Sequence, residues 1–182
     1  MSLVEKLAAA YRKELRVPEP RTLTGAERTW MLIYRPDLER SIRPRLSLFE
    51  SETKDAGRTW ALVDLTGSFE GWMAKETNRE RFFKDPPTMH ARLRAFRQLV
   101  ADQITARLVE ADEHSVVAVV GVGTLVGLAH ISEILPMVAE HVRGRLLVFF
   151  PGSYERGQDG NCYSLLDATK GWNYLATPIT AA

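Results

Sequence analysis

Apolar positions along the chain fall into two rhythms. Residues 116–120 and 146–150 are unbroken apolar runs rich in β-branched and aromatic side chains, the pattern of strands buried on both faces. Between them Leu128, Ile131, Leu135, Val138 and Val142 recur every three or four positions, the stripe of a helix packed on a sheet. Run, stripe and run together predict a βαβ unit with parallel strands. A similar alternation precedes it. Residues 29–34 predict a first buried strand, Leu38, Ile42, Leu46 and Phe49 a helical stripe that Pro44 interrupts, and residues 59–65 a second strand after Gly57.

The flanks are read in the same way. Val4, Leu7, Tyr11 and Leu15 mark one face of an N-terminal helix that ends before Pro18 and Pro20. Phe69, Trp72 and Met73 form a short helix face. A charged stretch, 75–84, and the pair Pro86 and Pro87 lead into the longest expected helix, 90–110, whose stripe is Leu93, Phe96, Val100, Ile104 and Leu108. The chain is then expected to turn at 151–154, cross a polar loop at 155–161 and end on a short strand at 163–166. The fold class is α/β: a three-layer sandwich of about five mainly parallel strands with helices on both faces. We read one domain over 1–182, with an N-terminal helix at 1–17, a core at 29–166 and a C-terminal tail at 167–182.

Composition narrows the class without naming a function. A chain of 182 residues buries roughly two-thirds of its unfolded surface, enough for one self-sufficient core. Apolar residues at 45% and charged ones at 26% are ordinary globular values, and a formal charge of +1 supplies no net pull toward nucleic acid or a membrane. The lone Cys162 excludes an intrachain disulfide and a multi-cysteine metal site, which fits a reducing, cytoplasmic setting. The charged, amphipathic start is unlike a secretory signal, and no apolar run reaches the length of a membrane span.

Candidate chemistry is sparse. Gly121, Gly123 and Gly127, with Thr124, form a loop between the first βαβ strand and its helix, where free backbone amides would suit an anion or a partner's carbonyls. No Lys-Ser or Lys-Thr follows the glycines, and the last glycine falls one position late for G-x-G-x-x-G. The plainer role of the glycines is a sharp turn with close helix-to-strand packing. Asp64, near the end of the second strand, stands where open parallel sheets take their ligands and would serve as a metal ligand or base. Capping of the next helix falls to Thr66 or Ser68. His130 is expected one turn into the central helix, and no two histidines stand at i and i+4. Neither a nucleophile elbow nor a cofactor motif is present, so no cofactor is expected.

Two surface features remain. Arg92, Arg94 and Arg97, with Arg79, Arg81 and Lys84, make the densest basic patch, but Glu76, Glu80, Asp85 and Asp102 are interspersed, so a solvated face is expected rather than a nucleic-acid site. Trp30 and Trp60 open strands and belong to the core. Trp172 and Tyr174, in the tail, are either contacts for a partner or a cover for the sheet edge.

Three stretches carry a family resemblance. They are Tyr34, Pro36, Leu38 and Glu39 with Arg43 one turn on; Gly121 to Leu125 with the helix after it; and Val148, Phe150, Pro151, Gly152 and Tyr154, followed by Leu165 and Leu166. In this order they resemble the BrxB family, small cytoplasmic components of bacteriophage exclusion (BREX) systems. Where that family shows a proline and an arginine, this chain has Gly127 and His130, so pairing with an acid there requires protonated His130. The resemblance implies a nucleotide-binding type of core without the phosphate-binding lysine. It also implies a non-catalytic protein that works by contact with a PglZ-type partner of the alkaline phosphatase superfamily. Candidate contacts are Gly121, Gly123, Thr124, Gly127 and His130 on the loop, and Pro151, Gly152, Tyr154, Trp172 and Tyr174. The alternative is a nucleotide- or phosphate-binding enzyme or switch that uses residues 121–127 with Asp64.

Overall fold

The computed structural model describes residues 1–20, 22–158, 160–166 and 170–181. Helices in chain order are α1 (Leu3–Leu15), α2 (Glu39–Ile42), α3 (Leu46–Asp55), α4 (Ser68–Lys75), α5 (Arg79–Lys84), α6 (Pro86–His90), α7 (Leu93–Glu110) and α8 (Ile131–Val138). Strands are β1 (Thr29–Tyr34), β2 (Thr59–Asp64), β3 (Ser115–Val120), β4 (Arg145–Gly157), β5 (Gly160–Leu165), β6 (Trp172–Tyr174) and β7 (Thr177–Thr180). Five of them form a parallel sheet in the order β2-β3-β4-β1-β7.

Alternation along the strands sends side chains to two separate cores. On one face Trp30, Leu32, Ala118, Leu147 and Phe149 meet Leu7 and Tyr11 of α1 and Phe49 of α3. Edge-on aromatic contacts join Phe49 to Phe149 at 5.0 Å and Tyr11 to Trp30 at 5.9 Å. The buried Tyr11 hydroxyl meets Thr53 Oγ1 at 2.6 Å; since Thr53 donates to the Phe49 carbonyl, Tyr11 is the donor in that pair. On the other face Met31, Ile33, Val117, Val119 and Val148 pack beneath Phe96, Val100 and Ile104 of α7 and Ile134, Leu135 and Val138 of α8. The connection from β1 to β2 therefore runs over the first face, and those from β2 to β3 and from β3 to β4 run over the second. This is the expected α/β sandwich. No helix among the described residues is long and apolar enough to cross a membrane.

Several local expectations shift. Residues 151–154 are not a turn: β4 runs on, changes partners at Pro151, and pairs antiparallel with β5, which pairs with β6. Gly152 permits the crossover, because a Cβ there would lie 2.1 Å from the Ser164 carbonyl oxygen. Of the polar segment expected as a loop, Glu155, Arg156 and Gly157 pair with Cys162, Asn161 and Gly160 in that hairpin, and residue 159 lies outside the described residues. Trp172 rests on Phe150 and Tyr163, so the antiparallel strands cover the part of the second face that α7 and α8 leave open.

The expected helix at 90–110 begins at Leu93, because the Arg92 N–H turns back to the Met89 carbonyl and closes α6. The central helix is only eight residues long, with Pro136 inside it and a 3-10 turn, Ala139–His141, after it. Pro136 has no N–H to extend the ladder. His130 is accordingly the exposed residue before α8 rather than part of it. β2 is an edge strand with Leu62 exposed, and Trp60 is only half-buried. Of the segment read as a tail, 167–169 and 182 lie outside the described residues. The rest supplies β6 and β7, and β7 pairs with β1.

Candidate functional site

Open parallel sheets present their ligand crevice at the carboxyl ends of the strands, where successive connections leave to opposite faces. Here β1 exits to one face and β2 and β3 to the other, and a network of side chains spans the ends between them. Tyr34, the last residue of β1, donates its hydroxyl to Glu39 Oε2 at 2.5 Å. Arg43, one turn beyond Glu39, donates Nε to Glu39 Oε1 at 3.2 Å and Nη1 to Asp64 Oδ2 at 2.7 Å. Its other nitrogen, Nη2, reaches Thr66 Oγ1. Asp64 Oδ1 accepts from the Thr66 N–H at 3.0 Å and from its hydroxyl at 2.6 Å. β3 and β4 lie between β2 and β1, so Arg43 stretches across their ends to link β1 with the edge strand β2.

These contacts set the electrostatics. Burial works against the Asp64 carboxylate, but hydrogen bonds from Arg43 and Thr66 outweigh it and hold the carboxyl below its ordinary range. Burial also opposes the Arg43 charge, and the bonds to Asp64 and Glu39 overcome it and raise its pKa. The Tyr34 hydroxyl is pushed well up, first by burial and then by donation to Glu39, so it stays neutral. Two carboxylates face one guanidinium, which leaves the network with a net charge of about −1.

The glycine loop is closed by the same contacts. Gly121 has φ of +84°, a conformation that side chains with a Cβ rarely adopt. A Cβ on it would also lie 2.8 Å from the Thr66 nitrogen and 3.1 Å from Arg43 Nη2. Residues Val122–Leu125 make a 3-10 turn whose Val122 and Leu125 side chains are buried. The Thr124 N–H and hydroxyl both return to the Gly121 carbonyl, at 3.1 and 2.6 Å. The Leu128 and Ala129 N–H groups take the Leu125 carbonyl at 2.9 Å. The N–H groups of Thr124, Val126, Leu128 and Ala129 are thus taken up inside the loop, which does not open directly into α8. What remains is a crevice of about 320 Å³ beside Arg43, Gly123, Thr124, Pro151 and Leu166.

The residues expected to matter from sequence divide accordingly. Gly121, Gly123, Thr124 and Pro151 come together at the crevice, and Asp64 joins them through Arg43. Gly127 and His130 are exposed and apart from it. Gly152 serves the β4–β5 approach, and the half-buried Tyr154 stacks on Tyr163. Trp172 and Tyr174 are half-buried in the layer over the sheet. Tyr34 and Thr66 were not foreseen as site residues, and Arg43 was foreseen only as the partner of Glu39. The four-residue spacing of Glu39 and Arg43 and the Asp64-Leu65-Thr66 turn were the available signals. No group of metal-ligating side chains occurs among the described residues.

Compared with known protein families, curated proteins and solved structures, the chain matches none.

Proposed function

We propose that this protein is a non-catalytic interaction component of a bacterial phage-defence assembly of the BREX type, and that it binds a PglZ-type partner. The observation that carries this reading is the convergence at the crevice. The three stretches that resemble the BrxB family are far apart in sequence, yet Pro36, Glu39 and Arg43 from the first, Gly121, Gly123 and Thr124 from the second, and Pro151 from the third all border it. The place where a nucleotide-binding sheet would hold phosphate carries instead a satisfied ion-pair network of net negative charge, which supports a scaffold rather than a nucleotide switch.

The test is size-exclusion chromatography with light scattering on the protein mixed with the PglZ-type protein of its own genome. Co-elution at a defined stoichiometry is expected, and separate elution at micromolar concentrations overturns the reading. A thermal-shift screen of nucleotides addresses the alternative. Stabilisation by a nucleoside triphosphate that Arg43→Ala abolishes would favour a nucleotide-binding protein that uses residues 121–127 with Asp64.

A further inference from the structure

An open sheet leaves backbone groups without partners along its two outer strands, and here the two are finished differently. β7, at one end of the order, is four residues long, carries Pro178 and lies beside α1. Proline supplies no N–H, so that edge is a poor template for another strand. β2, at the other end, has the sequence TWALVD, with no proline, no lysine and a single charge, Asp64, at its last position. It pairs residue for residue with β3, without a bulge. The devices that blunt a strand edge are missing from it.

The ladder shows which groups are free. The Thr59 and Leu65 N–H groups go to the His114 and Val120 carbonyls on the β3 side. Backbone groups alternate in direction along a strand, so those of Thr59, Ala61 and Val63 face β3 and those of Trp60, Leu62 and Asp64 face outward. The outward groups meet no turn, loop or cap among the described residues. Space is open at both ends of the strand: nothing lies within 4 Å of a Cβ added to Gly57 before it or to Gly67 after it. Leu62 is 38% exposed, and alternation puts it on the same face as the half-buried Trp60.

A free edge of this kind takes a strand, and the side chains select a second β2. Antiparallel pairing about a two-fold axis at Leu62 is the register that engages all three outward residues of both copies. It sets Leu62 opposite Leu62, and Trp60 of each copy opposite Asp64 of the other. Each such pair exchanges two backbone hydrogen bonds. The exposed leucines cover one another, no charge faces a like charge, and one patch serves both copies, as a closed two-fold interface requires.

We infer that two copies of this chain join through β2, so that the parallel sheet of one continues into that of the other. One strand edge and its borders make a small interface, and a Kd of about 10–100 μM is expected.

The test is analytical ultracentrifugation of the full chain across ~1–300 μM, where the mass should rise from monomer to dimer. Leu62→Lys, at an exposed position, sets two ammonium groups opposite each other and should weaken the dimer at least ~10-fold, with the circular dichroism spectrum unchanged. A cysteine scan in a Cys162→Ser background reads the register without depending on affinity. Directly opposed residues have Cα atoms ~5.5 Å apart, within the reach of a disulfide, so Leu62→Cys should cross-link on mild oxidation. Thr59→Cys should not, because its two copies would stand about 20 Å apart. Three results overturn the inference: a dimer that Leu62→Lys leaves intact, Thr59→Cys cross-linking as fast as Leu62→Cys, or a monomer at every concentration, which would leave the edge to a strand of another protein. These measurements use the chain alone, so they stand or fall separately from co-elution with the PglZ-type protein.

Discussion

Replacing Gly121 with alanine tests whether Arg43 and Thr66 truly close over the end of β3. Two costs add at this position. Alanine in the left-handed region costs about 1–2 kcal/mol, and its Cβ would sit 2.8 Å from both the backbone nitrogen and the hydroxyl of Thr66 and 3.1 Å from Arg43 Nη2. Overpacking of this kind costs ~1–3 kcal/mol, because Thr66 N belongs to the backbone and cannot swing aside. The sum is ~2–5 kcal/mol, a large part of the ~5–15 kcal/mol that holds a domain folded. Gly127 supplies the control: its φ is +79°, and nothing lies within 4 Å of its added Cβ, so Gly127→Ala carries only the conformational cost. Urea denaturation followed by circular dichroism reads the difference. With m near ~2 kcal/mol/M, Gly127→Ala should lower the midpoint by about 0.5–1 M and Gly121→Ala by ~1–2.5 M, with m unchanged. Equal losses for the two variants would refute the closed arrangement.

Other consequences are checked with the same assays. Arg43→Ala leaves Glu39 and Asp64 without their shared cation, and a loss of ~1–2 kcal/mol is expected after allowance for solvent screening. In the double variant with Asp64→Asn the two losses should not add, and strict additivity would mean that the ion pair contributes nothing. The depressed Asp64 carboxyl stabilises the fold above its ordinary value of 3.8, and that contribution disappears as pH falls through the lower folded-state value. The stability gap between wild type and Asp64→Asn should therefore narrow when denaturation at pH 6 is repeated at pH 3, and a gap that widens contradicts the assignment. Gly152→Ala would push a Cβ to within 2.1 Å of the Ser164 carbonyl oxygen. A loss above ~3 kcal/mol is expected, with faster amide exchange along β5, and wild-type exchange there would contradict the close crossing.

The parallel sheet was legible because its strands are buried on both faces, and continuous runs such as 116–120 leave few alternatives. The helical stripes were legible in periodicity but not in length: Pro136 and the turn at Arg92 cut helices that spacing alone would extend. β7 left little trace, since Thr177–Thr180 holds one proline and one buried isoleucine, and it becomes a strand by pairing with β1. The continuation of β4 past Pro151 was hidden because proline and glycine usually mark a turn, whereas here they mark a change of partner. At the crevice the residue types were visible but the bridge was not. Arg43 and Asp64 are distant in sequence, and only the sheet order brings the guanidinium over Gly121.

The place of β1 in the sheet bears on how the chain is made. β1 leaves the ribosome before β2 to β7, yet its neighbours are β4 and β7, which follow the other parallel strands in the chain. Its six residues, TWMLIY, are all buried in the finished protein and all unpaired until Arg145 and its successors emerge. At ~5–20 residues per second the nascent chain carries this sticky hexapeptide for on the order of ten seconds. Newborn copies on a crowded polysome would therefore meet one another through β1, and a chaperone that holds extended apolar segments would find its binding site there.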